Sequence, residues 1–388
     1  MDARRLTTPG PKRILALEGG GVRGVLSLAI LERLEKVLAQ ATGRTDGTFR
    51  LAHYYDLIGG TSTGSIIATG LALGLSATEL LDMYRTLAVE VFRRSIWKLG
   101  LFGPKFSRTA LEAALTKVLG DEQFDSDKLL TGLAIVAKRA DNGSVWVLHN
   151  NPRGRYYDAP PDDPHAFPNR KIKLISAVLA STAAPTYFQP EWLDIAKGLR
   201  GAFVDGGASP HNNPSLLLML MSTLRGYNFH WQVGDDKLLL TSIGTGTYRK
   251  RYKISEMRRW LPLQLAVNSL TSMIEDYSRQ TQALLQLMGT TPTAFIIDSE
   301  IGDLSSDRVS QRKLLHYLRY DGTIDVDWLA KNAGLTIPDK EIKPAQEIDD
   351  PGAMETLIRI GRAIADRQIR AGHFPDVFNR SIWPTPPA

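Results

Sequence analysis

The sequence predicts an α/β fold with a mostly parallel central sheet flanked by helices on both faces, followed by a helix-rich C-terminal region. Short apolar runs alternate with amphipathic segments from residue 13 to about residue 247, and glycine-rich turns follow the first two runs. Beyond residue 248 the pattern changes, and most apolar residues recur at helical spacing. Alternating strands and helices are typical of a parallel sheet covered on both faces. In such a sheet we expect catalytic groups at the carboxyl ends of the strands.

The first part of the chain has the clearest elements. Residues 1–12 carry Pro and Gly and are predicted to be a flexible tail, and the apolar run at 13–17 predicts the first strand. Apolar residues three or four apart predict a helix at 26–38, and residues 54–67 predict a strand, a tight turn and a helix. Ser76 and Thr109, each followed by Glu three residues later, predict helices that run toward residue 93 and to about residue 120. Residues 133–137 and 145–148 predict strands.

The later elements follow the same rules. A short helix is predicted at 172–179 and must stop before Pro185. A strand leading to residue 205, a helix at 216–224 and a strand at 238–243 come next. Helical spacing predicts helices at 261–288 and 354–370, with a strand at 294–298 and an edge strand at 315–320 between them. Because no run resembles a linker, we expect a catalytic core over 13–247 and a C-terminal region over 248–388 packed on the same domain.

Composition limits the function classes. The chain has 388 residues, of which 43% are hydrophobic and 23% charged, as in an ordinary globular protein. The absence of cysteine excludes disulfides, thiolate catalysis and cysteine-ligated metals. No secretory signal opens the chain, and its apolar runs are too short to cross a bilayer, so we expect a cytoplasmic protein. A formal charge of +6 suits an anionic partner, either nucleic acid or a lipid surface, or is a mild solubility bias. Of these partners we expect no nucleic acid polymer.

Ser62 lies in a pattern typical of a nucleophile elbow. Gly60, Thr61, Ser62, Thr63 and Gly64 stand between an apolar run and a segment with helical spacing. Glycines on both sides allow the strained backbone that pushes a serine hydroxyl out above a sheet. The alternative is a glycine-rich turn with an incidental serine. A serine hydroxyl is a weak nucleophile, so the sequence must also supply a base and donors for the oxyanion.

The loop after the first predicted strand could supply the donors. Backbone N–H groups between a strand and a helix can converge on an anion. The loop that meets this description consists of Gly19, Gly20, Gly21, Val22, Arg23 and Gly24. The same glycines also fit a dinucleotide-binding pattern. Such a unit normally has an acidic residue at the end of its second strand, where this chain has glycines and Ser62.

Two kinds of base remain open from the residues alone. A Ser-Asp-His triad would draw on one of the histidines downstream of Ser62, none of which has a distinctive context: His149, His165, His211, His230, His316 and His373. Asp205 ends an apolar strand and is followed by Gly206 and Gly207, which permit a sharp turn. As a direct base it would need a pKa raised by burial. The alternative is a turn residue that bonds its own backbone.

Four motifs in this order resemble those of the patatin-like phospholipases, in particular the bacterial type. They are the loop at 19–24, the elbow at 60–64, the segment at 180–188 and the Asp205-Gly206-Gly207 turn. The resemblance implies a patatin-like three-layer fold and acyl hydrolysis of phospholipids or lysophospholipids by a Ser62–Asp205 dyad without histidine or metal. It also implies that the amides of the glycine loop form the oxyanion hole, with Arg23 helping to hold that loop. One departure is Glu18, where family members usually carry aspartate.

A lipid hydrolase must also meet a membrane surface. One stretch interleaves cations with large apolar residues, and we expect it to contact the inner membrane face transiently through Phe92, Arg93, Arg94, Trp97, Lys98 and Phe102. Residues 248–260 have a similar composition; in both stretches the alternative is an ordinary core with a solvated basic face. The resemblance further permits activation by a cyclic nucleotide, since some bacterial family members are effectors that degrade membranes in antiviral defence. A constitutive lipid-metabolic enzyme fits equally well.

Overall fold

The computed structural model describes residues 4–91, 108–185, 187–248, 254–257 and 262–380. The strands of this part of the chain are β1 Lys12–Leu17, β2 Leu57–Thr61, β3 Gly132–Arg139, β4 Val145–His149, β5 Glu191–Ala196, β6 Leu199–Asp205, β7 Leu238–Ile243, β8 Gly289–Thr290 and β9 Leu315–Tyr320. The helices are α1 Arg4–Thr7, α2 Gly24–Ala41, α3 Leu51–Tyr54, α4 Thr63–Ala72, α5 Ala77–Val91, α6 Arg108–Leu119, α7 Leu174–Thr182, α8 Ser215–Thr223, α9 Ile254–Met257, α10 Pro262–Met288, α11 Val326–Trp328, α12 Asp339–Gln346, α13 Met354–Gln368 and α14 Asp376–Asn379.

The strands form one mostly parallel sheet in the order β5-β6-β3-β2-β1-β7-β9-β8, with β4 also paired to β3. The central pairs, from β3 through β9, are parallel, whereas β4, β5 and β6 run antiparallel to their neighbours. A short continuous apolar run suits a strand that is buried on both faces, and β1, β2, β7 and β9 are buried along their whole length. The predicted α/β class is confirmed.

Two apolar cores lie on opposite faces of the sheet. The larger one joins the buried faces of α2, α4, α5, α6, α7 and α13 to the sheet. The smaller one covers the other face with α8, the end of α10 and the aromatic pair Phe229 and Trp231. Side chains alternate between the two faces of a strand, so neighbours such as Leu239 and Leu240 enter different cores. This arrangement is the predicted three-layer fold.

The region after residue 248 adds to the same sheet. Its strand β9 pairs with β7 in parallel register, from Leu239 with His316 to Ile243 with Tyr320. Its helix α13 packs on α2 and contributes Leu357, Ile360 and Ile364 to the larger core. The catalytic part and the C-terminal region therefore share one sheet and one core.

Three details differ from the sequence prediction. The stretch 294–298 is not a strand, because Phe295 N–H donates to the side chain of Gln286 and Ile297 N–H closes a turn onto the carbonyl of Gly302. The strand at 315–320 is not an edge strand, because the two-residue β8 pairs with it on its outer side. The C-terminal helix ends at Gln368 rather than at residue 370.

Residues 4–12 do not form the flexible tail that was expected. Arg5 and Leu6 are buried, and the Arg5 guanidinium donates to the carbonyl oxygens of His53, Tyr55 and Leu130 and lies 3.4 Å from the Asp56 carboxylate. Asp56 also accepts from the guanidinium of Arg13 at 3.0 Å. A buried carboxylate needs such partners, and this requirement holds the first described residues against the core.

No helix in the described ranges is long and apolar enough to cross a membrane.

Candidate active site

The Ser62 backbone adopts the conformation of a nucleophile elbow. Ser62 lies between β2 and α4 with φ 54° and ψ −127°, a region that few residues other than glycine enter. The two flanking glycines are sterically required. A Cβ on Gly60 would lie 2.1 Å from the carbonyl oxygen of Gly64, and a Cβ on Gly64 would lie 2.3 Å from the carbonyl oxygen of Leu17. Ser62 therefore lies in a strained, tightly packed turn at the start of α4.

The sheet brings Asp205 to Ser62 because β2 and β6 share one edge of β3. On that strand β4 occupies the other edge over residues 134–138. β2 pairs with β3 up to Thr61 opposite Val136, and β6, running the other way, pairs from Asp205 opposite Ala137. The carboxyl ends of β2 and β6 consequently meet. Ser62, the residue after β2, therefore contacts Asp205, the last residue of β6.

The two side chains form a short hydrogen bond. Ser62 Oγ–H donates to Asp205 Oδ2 at 2.6 Å, and the N–H of Gly207 donates to Asp205 Oδ1 at 2.7 Å within the turn that Gly206 begins. The Asp205 side chain is buried, and burial raises its pKa to about 6, although the bonds from Ser62 and Gly207 oppose the rise. A carboxylate with this pKa is ionised at neutral pH and still basic enough to accept a proton.

The end of α7 holds the backbones of both Ser62 and Asp205. The N–H of Ser62 donates to Ser181 Oγ at 2.9 Å, and the N–H of Asp205 donates to the carbonyl oxygen of Ala183 at 3.0 Å. Ser181 lies in the motif at 180–188, but the sequence indicates no role for it. Its partner lies 119 positions away, so no local pattern could have indicated the contact.

The glycine loop lies beside Ser62, but most of its amides are already used. Gly19 N–H donates to the carbonyl of Asn212, Val22 N–H to that of Ile348, Arg23 N–H to that of Gly20, and Gly24 N–H back into its own turn. In the described part of the chain the N–H groups of Gly20 and Gly21 donate to no protein group. Of the six residues expected to form an oxyanion hole, these two therefore keep a donor for it.

Contacts from distant residues fix the shape of this loop. Gly21 has φ 58°, and a Cβ there would lie 2.2 Å from the carbonyl oxygen of Ile348. The Gly21 carbonyl accepts from Tyr84 OH at 2.8 Å and from Thr63 Oγ1 at 3.0 Å. Tyr84 was not identified from the sequence, where it is one of several apolar-face residues of a predicted helix.

Glu18 is anchored by a buried ion-pair cluster. Its Oε1 accepts from Arg319 at 2.6 Å and from Ser278 Oγ at 3.0 Å, and the same guanidinium donates to Asp321 at 2.6 Å. All three charged side chains are at most 6% exposed. Burial raises the pKa of Glu18, and the Arg319 charge opposes that rise. The carboxylate of Glu18, which reaches one methylene further than that of an aspartate, thus contacts β9 and α10.

The contacts of Arg23 differ from the expectation that its side chain helps to hold the glycine loop. Its guanidinium forms no ion pair with any described residue, and its buried Nε lacks a hydrogen-bond partner there. Burial lowers its pKa. The side chain instead lines the cavity that contains Ser62.

No histidine contacts the Ser62–Asp205 pair within the described ranges. His149 accepts from Asn151 N–H, and burial lowers its pKa to about 4. His316 and His373 contact each other through a backbone carbonyl. His211 offers its carbonyl to Thr61 Oγ1, and His165 and His230 are exposed.

One cavity of about 1250 Å³ joins these groups. Its lining includes Ser62 and the apolar side chains of Ile66, Leu87, Leu111, Pro185 and Phe188. Its other walls come from the middle of α10 and from residues 295–297, 319–325 and 346–349. The volume exceeds that of most small-molecule sites and is large enough for a long acyl chain. In the described residues no group of three or more His, Cys, Asp or Glu side chains is placed to hold a metal ion.

The expected membrane contacts at 92–102 lie outside the described residues, as does most of the second basic stretch. Exposed apolar side chains do occur at the cavity itself. Met273, Ile296 and Ile348 line it and are 47%, 77% and 37% exposed.

Comparisons with known proteins agree on one family. A family model described as "Patatin-like phospholipase" matches residues 15–219, just over half of the chain. The chain is 32% identical over 254 residues to a "cGAMP-activated phospholipase" of Escherichia coli (strain TW11681), which covers 64% of this chain and 66% of that protein. It is 34% identical over 217 residues to a "cGAMP-activated phospholipase" of Vibrio cholerae, covering 53% and 56%. It is 26% identical over 286 residues to "Patatin group J-1" of Solanum tuberosum, covering 68% and 69%. The matched stretch thus spans just under two thirds of the first relative and just over half of the second.

Proposed function

The chain belongs to the patatin-like phospholipase family, and we propose that it hydrolyses acyl esters of phospholipids or lysophospholipids with Ser62 as nucleophile and Asp205 as general base. One observation carries the proposal: the Ser62 hydroxyl donates a 2.6 Å hydrogen bond to a buried carboxylate. That geometry meets the requirement for a nucleophile and a base in direct contact. The names of the relatives support a lipid as substrate.

The reaction proceeds in two halves. Asp205 Oδ2 takes the Ser62 proton as Oγ attacks the ester carbonyl, and the proton then passes to the leaving alcohol or lysolipid as the C–O bond breaks. A water molecule next gives its proton to Asp205 and attacks the acyl-enzyme, and Ser62 regains its proton as the fatty acid leaves. In this proposal the oxyanion of each tetrahedral intermediate accepts from the N–H groups of Gly20 and Gly21.

The cavity supports a phospholipid rather than a small ester. Apolar side chains line the cavity that contains Ser62, and they suit an acyl chain. The guanidinium of Arg23, which pairs with no acid in the described part of the chain, lines the same cavity and is suited to a phosphate group. The substrate class is therefore an anionic or zwitterionic lipid ester.

Two variants test the dyad. We expect Ser62→Ala and Asp205→Asn each to lower kcat by at least about 10³-fold on both a soluble ester and liposomes, because each removes a group that reacts. His211→Asn is the control and should keep full activity, since His211 contacts Thr61, the neighbour of Ser62, through its backbone carbonyl only. Mass spectrometry of the products from mixed liposomes identifies the head group and the acyl position. Loss of activity in a histidine variant, with Asp205→Asn active, would instead support a Ser-Asp-His triad.

The lipid surface is proposed to meet the cavity mouth. The exposed side chains of Met273, Ile296 and Ile348 lie where a lipid would enter, and apolar side chains at an interface gain by leaving water. We expect Ile296→Asp to weaken liposome hydrolysis at least fivefold and to leave soluble-ester turnover unchanged. Val309→Asp is the matched control, because Val309 is 67% exposed and does not line the cavity.

The basic stretch outside the described residues stays a second proposed contact with the inner membrane face. Charge reversal at Arg93, Arg94 and Lys98 should weaken vesicle binding more than hydrolysis of a soluble ester. Equal loss on both substrates would speak against a membrane role for this stretch.

Activation by a cyclic nucleotide is a second functional candidate, favoured by the two relatives named as cGAMP-activated. In that case the protein is a membrane-degrading effector, as in antiviral defence, rather than a constitutive lipid-metabolic enzyme. Liposome hydrolysis is measured with and without cyclic dinucleotides. A rate that rises at least tenfold with one of them supports the effector role, and a rate that is high and unchanged supports the constitutive role.

The dinucleotide-binding alternative for residues 19–24 has the least support, because Ser62 stands where that fold would want an acid and because the family match covers the loop's helix and the strand before it. Titration of the purified protein with nicotinamide and flavin dinucleotides, with no saturable binding expected, tests it.

A further inference from the structure

One short segment contacts both members of the proposed dyad. Ser181 Oγ accepts the N–H of Ser62 at 2.9 Å and donates its own hydrogen to the carbonyl oxygen of Val136 at 2.6 Å. Two residues later, the carbonyl of Ala183 accepts the N–H of Asp205 at 3.0 Å. Ser181 is fully buried, and Ala183 is 4% exposed. The end of α7 therefore lies against the backbone of the nucleophile and of the base at once.

The strained backbone of Ser62 depends on a hydrogen-bond partner of this kind. Its φ of 54° with ψ −127° is disfavoured for any residue with a Cβ, so surrounding contacts must maintain it. The N–H of Ser62 precedes the first turn of α4 and has no acceptor within that helix. The Ser181 hydroxyl supplies this acceptor from a different element of the fold.

A hydroxyl is well suited to make both bonds at this position. The hydroxyl donates to one backbone group and accepts from the other, and it connects the elbow to β3, the strand on which the ends of β2 and β6 meet. An alanine would remove the bond to the Val136 carbonyl and the acceptor of the Ser62 amide. A thiol would make both bonds only weakly.

We propose that Ser181 is the positioning residue of the nucleophile: its hydroxyl holds the strained Ser62 backbone so that Oγ points at Asp205. This inference rests on the proposed function and adds to it. It also removes the Ser62 amide from the oxyanion hole, because that N–H is already bonded to Ser181, and it leaves the Gly20 and Gly21 amides as the donors.

The test compares Ser181→Ala, Ser181→Cys and the unchanged protein on a soluble ester. We expect kcat to fall about 10- to 100-fold in Ser181→Ala with KM within twofold, because small displacements of a reacting atom cost this much, and to take an intermediate value in Ser181→Cys. The Ser62 hydrogen bond lowers the pKa of Asp205. If Ser62 moves away, the acid limb of the kcat/KM profile must shift to higher pH.

Ser222→Ala is the matched control. Ser222 is also fully buried, and its hydroxyl donates to the carbonyl of Met219 within α8, away from the cavity. A purely structural role for Ser181 would give the pattern of Ser222→Ala, in which the melting temperature falls while kcat and the acid limb stay unchanged. That pattern, or equal kcat in the three Ser181 forms, overturns the proposal. If Ser181→Ala does not fold, the acid limb of Ser181→Cys decides in the same way.

The Ser62→Ala variant separates this inference from the proposed function. Turnover by Ser62→Ala would overturn the function itself. An inactive Ser62→Ala with a fully active Ser181→Ala would overturn the positioning role alone.

Discussion

The pH dependence of turnover follows from the burial of Asp205. Burial raises the pKa of this carboxyl from 3.8 to about 6, and the base must be ionised to accept the Ser62 proton. With a pKa of about 6, roughly one eleventh of the protein carries the ionised base at pH 5 and roughly ten elevenths at pH 7. We therefore expect kcat/KM on a soluble ester to be about tenfold lower at pH 5 than at pH 7. An aspartate with an ordinary pKa would be ionised at both values, and the rate would be flat.

The assay uses a short-chain ester in solution, so that lipid packing and surface charge do not change with pH. Tryptophan fluorescence at each pH shows that the loss at pH 5 is not unfolding, and full recovery after return to pH 7 shows that it is reversible. A kcat/KM that changes less than twofold between pH 5 and pH 7 would refute the raised pKa of the base. His211→Asn should give the same curve as the unchanged protein; a displaced curve would implicate the imidazole.

Three further predictions concern stability and the geometry of the site. Gly60→Ala should lower activity at least about 100-fold, since its Cβ would lie 2.1 Å from the Gly64 carbonyl oxygen and must move the elbow. Arg319→Met should lower the free energy of unfolding in urea by about 3–5 kcal/mol, because it leaves buried carboxylates such as Glu18 unpaired. Asp205→Asn should raise the melting temperature at pH 8 and not at pH 4. A carboxyl whose pKa is raised by folding stabilises the folded state below its unfolded pKa. For Asp205 this stability, on the order of 2–3 kcal/mol, is lost as the pH rises through 6, and Asn avoids that loss.

Each of the three has a control. Gly226→Ala, at a glycine with open space around its Cβ position, should change neither activity nor stability; equal effects of the two alanines would contradict the steric argument. Adding Glu18→Gln to Arg319→Met should recover part of the lost stability, and a further loss would contradict the charge argument. An Asp205→Asn variant stabilised equally at pH 4 and pH 8 would show that removal of the charge is not the cause.

Ser62 and Asp205 could be proposed as reacting groups from the sequence because they lie in local patterns. Ser62 is marked by glycines within two residues on each side, and Asp205 by two glycines that follow it. The strand and helix order up to residue 247 could likewise be predicted from apolar spacing. These features depend on neighbours in the chain, and single-sequence patterns carry that information.

The supporting contacts could not be predicted, because they join residues far apart in the chain. Glu18 and Arg319 are separated by 301 positions, and Ser62 and Ser181 by 119. Nothing near Tyr84 indicates that its hydroxyl reaches the Gly21 carbonyl. The antiparallel course of β6, which makes its end meet the end of β2, is likewise a property of strand pairing and not of either strand's residues. The same limitation explains why 294–298, an apolar run in sequence, is a turn.

The contact of Ile348 with the glycine loop has a consequence for when that loop takes its final shape during synthesis. A nascent chain that has left the ribosome up to residue 247 already contains Ser62, Asp205 and every glycine of the loop. It lacks the carbonyl of Ile348, which accepts Val22 N–H at 2.8 Å, and the Arg319 guanidinium, which holds Glu18. The glycine loop can therefore take its final shape only after Arg319 and Ile348 have been made. The contacts that fix this loop thus form late, once the C-terminal region has been translated.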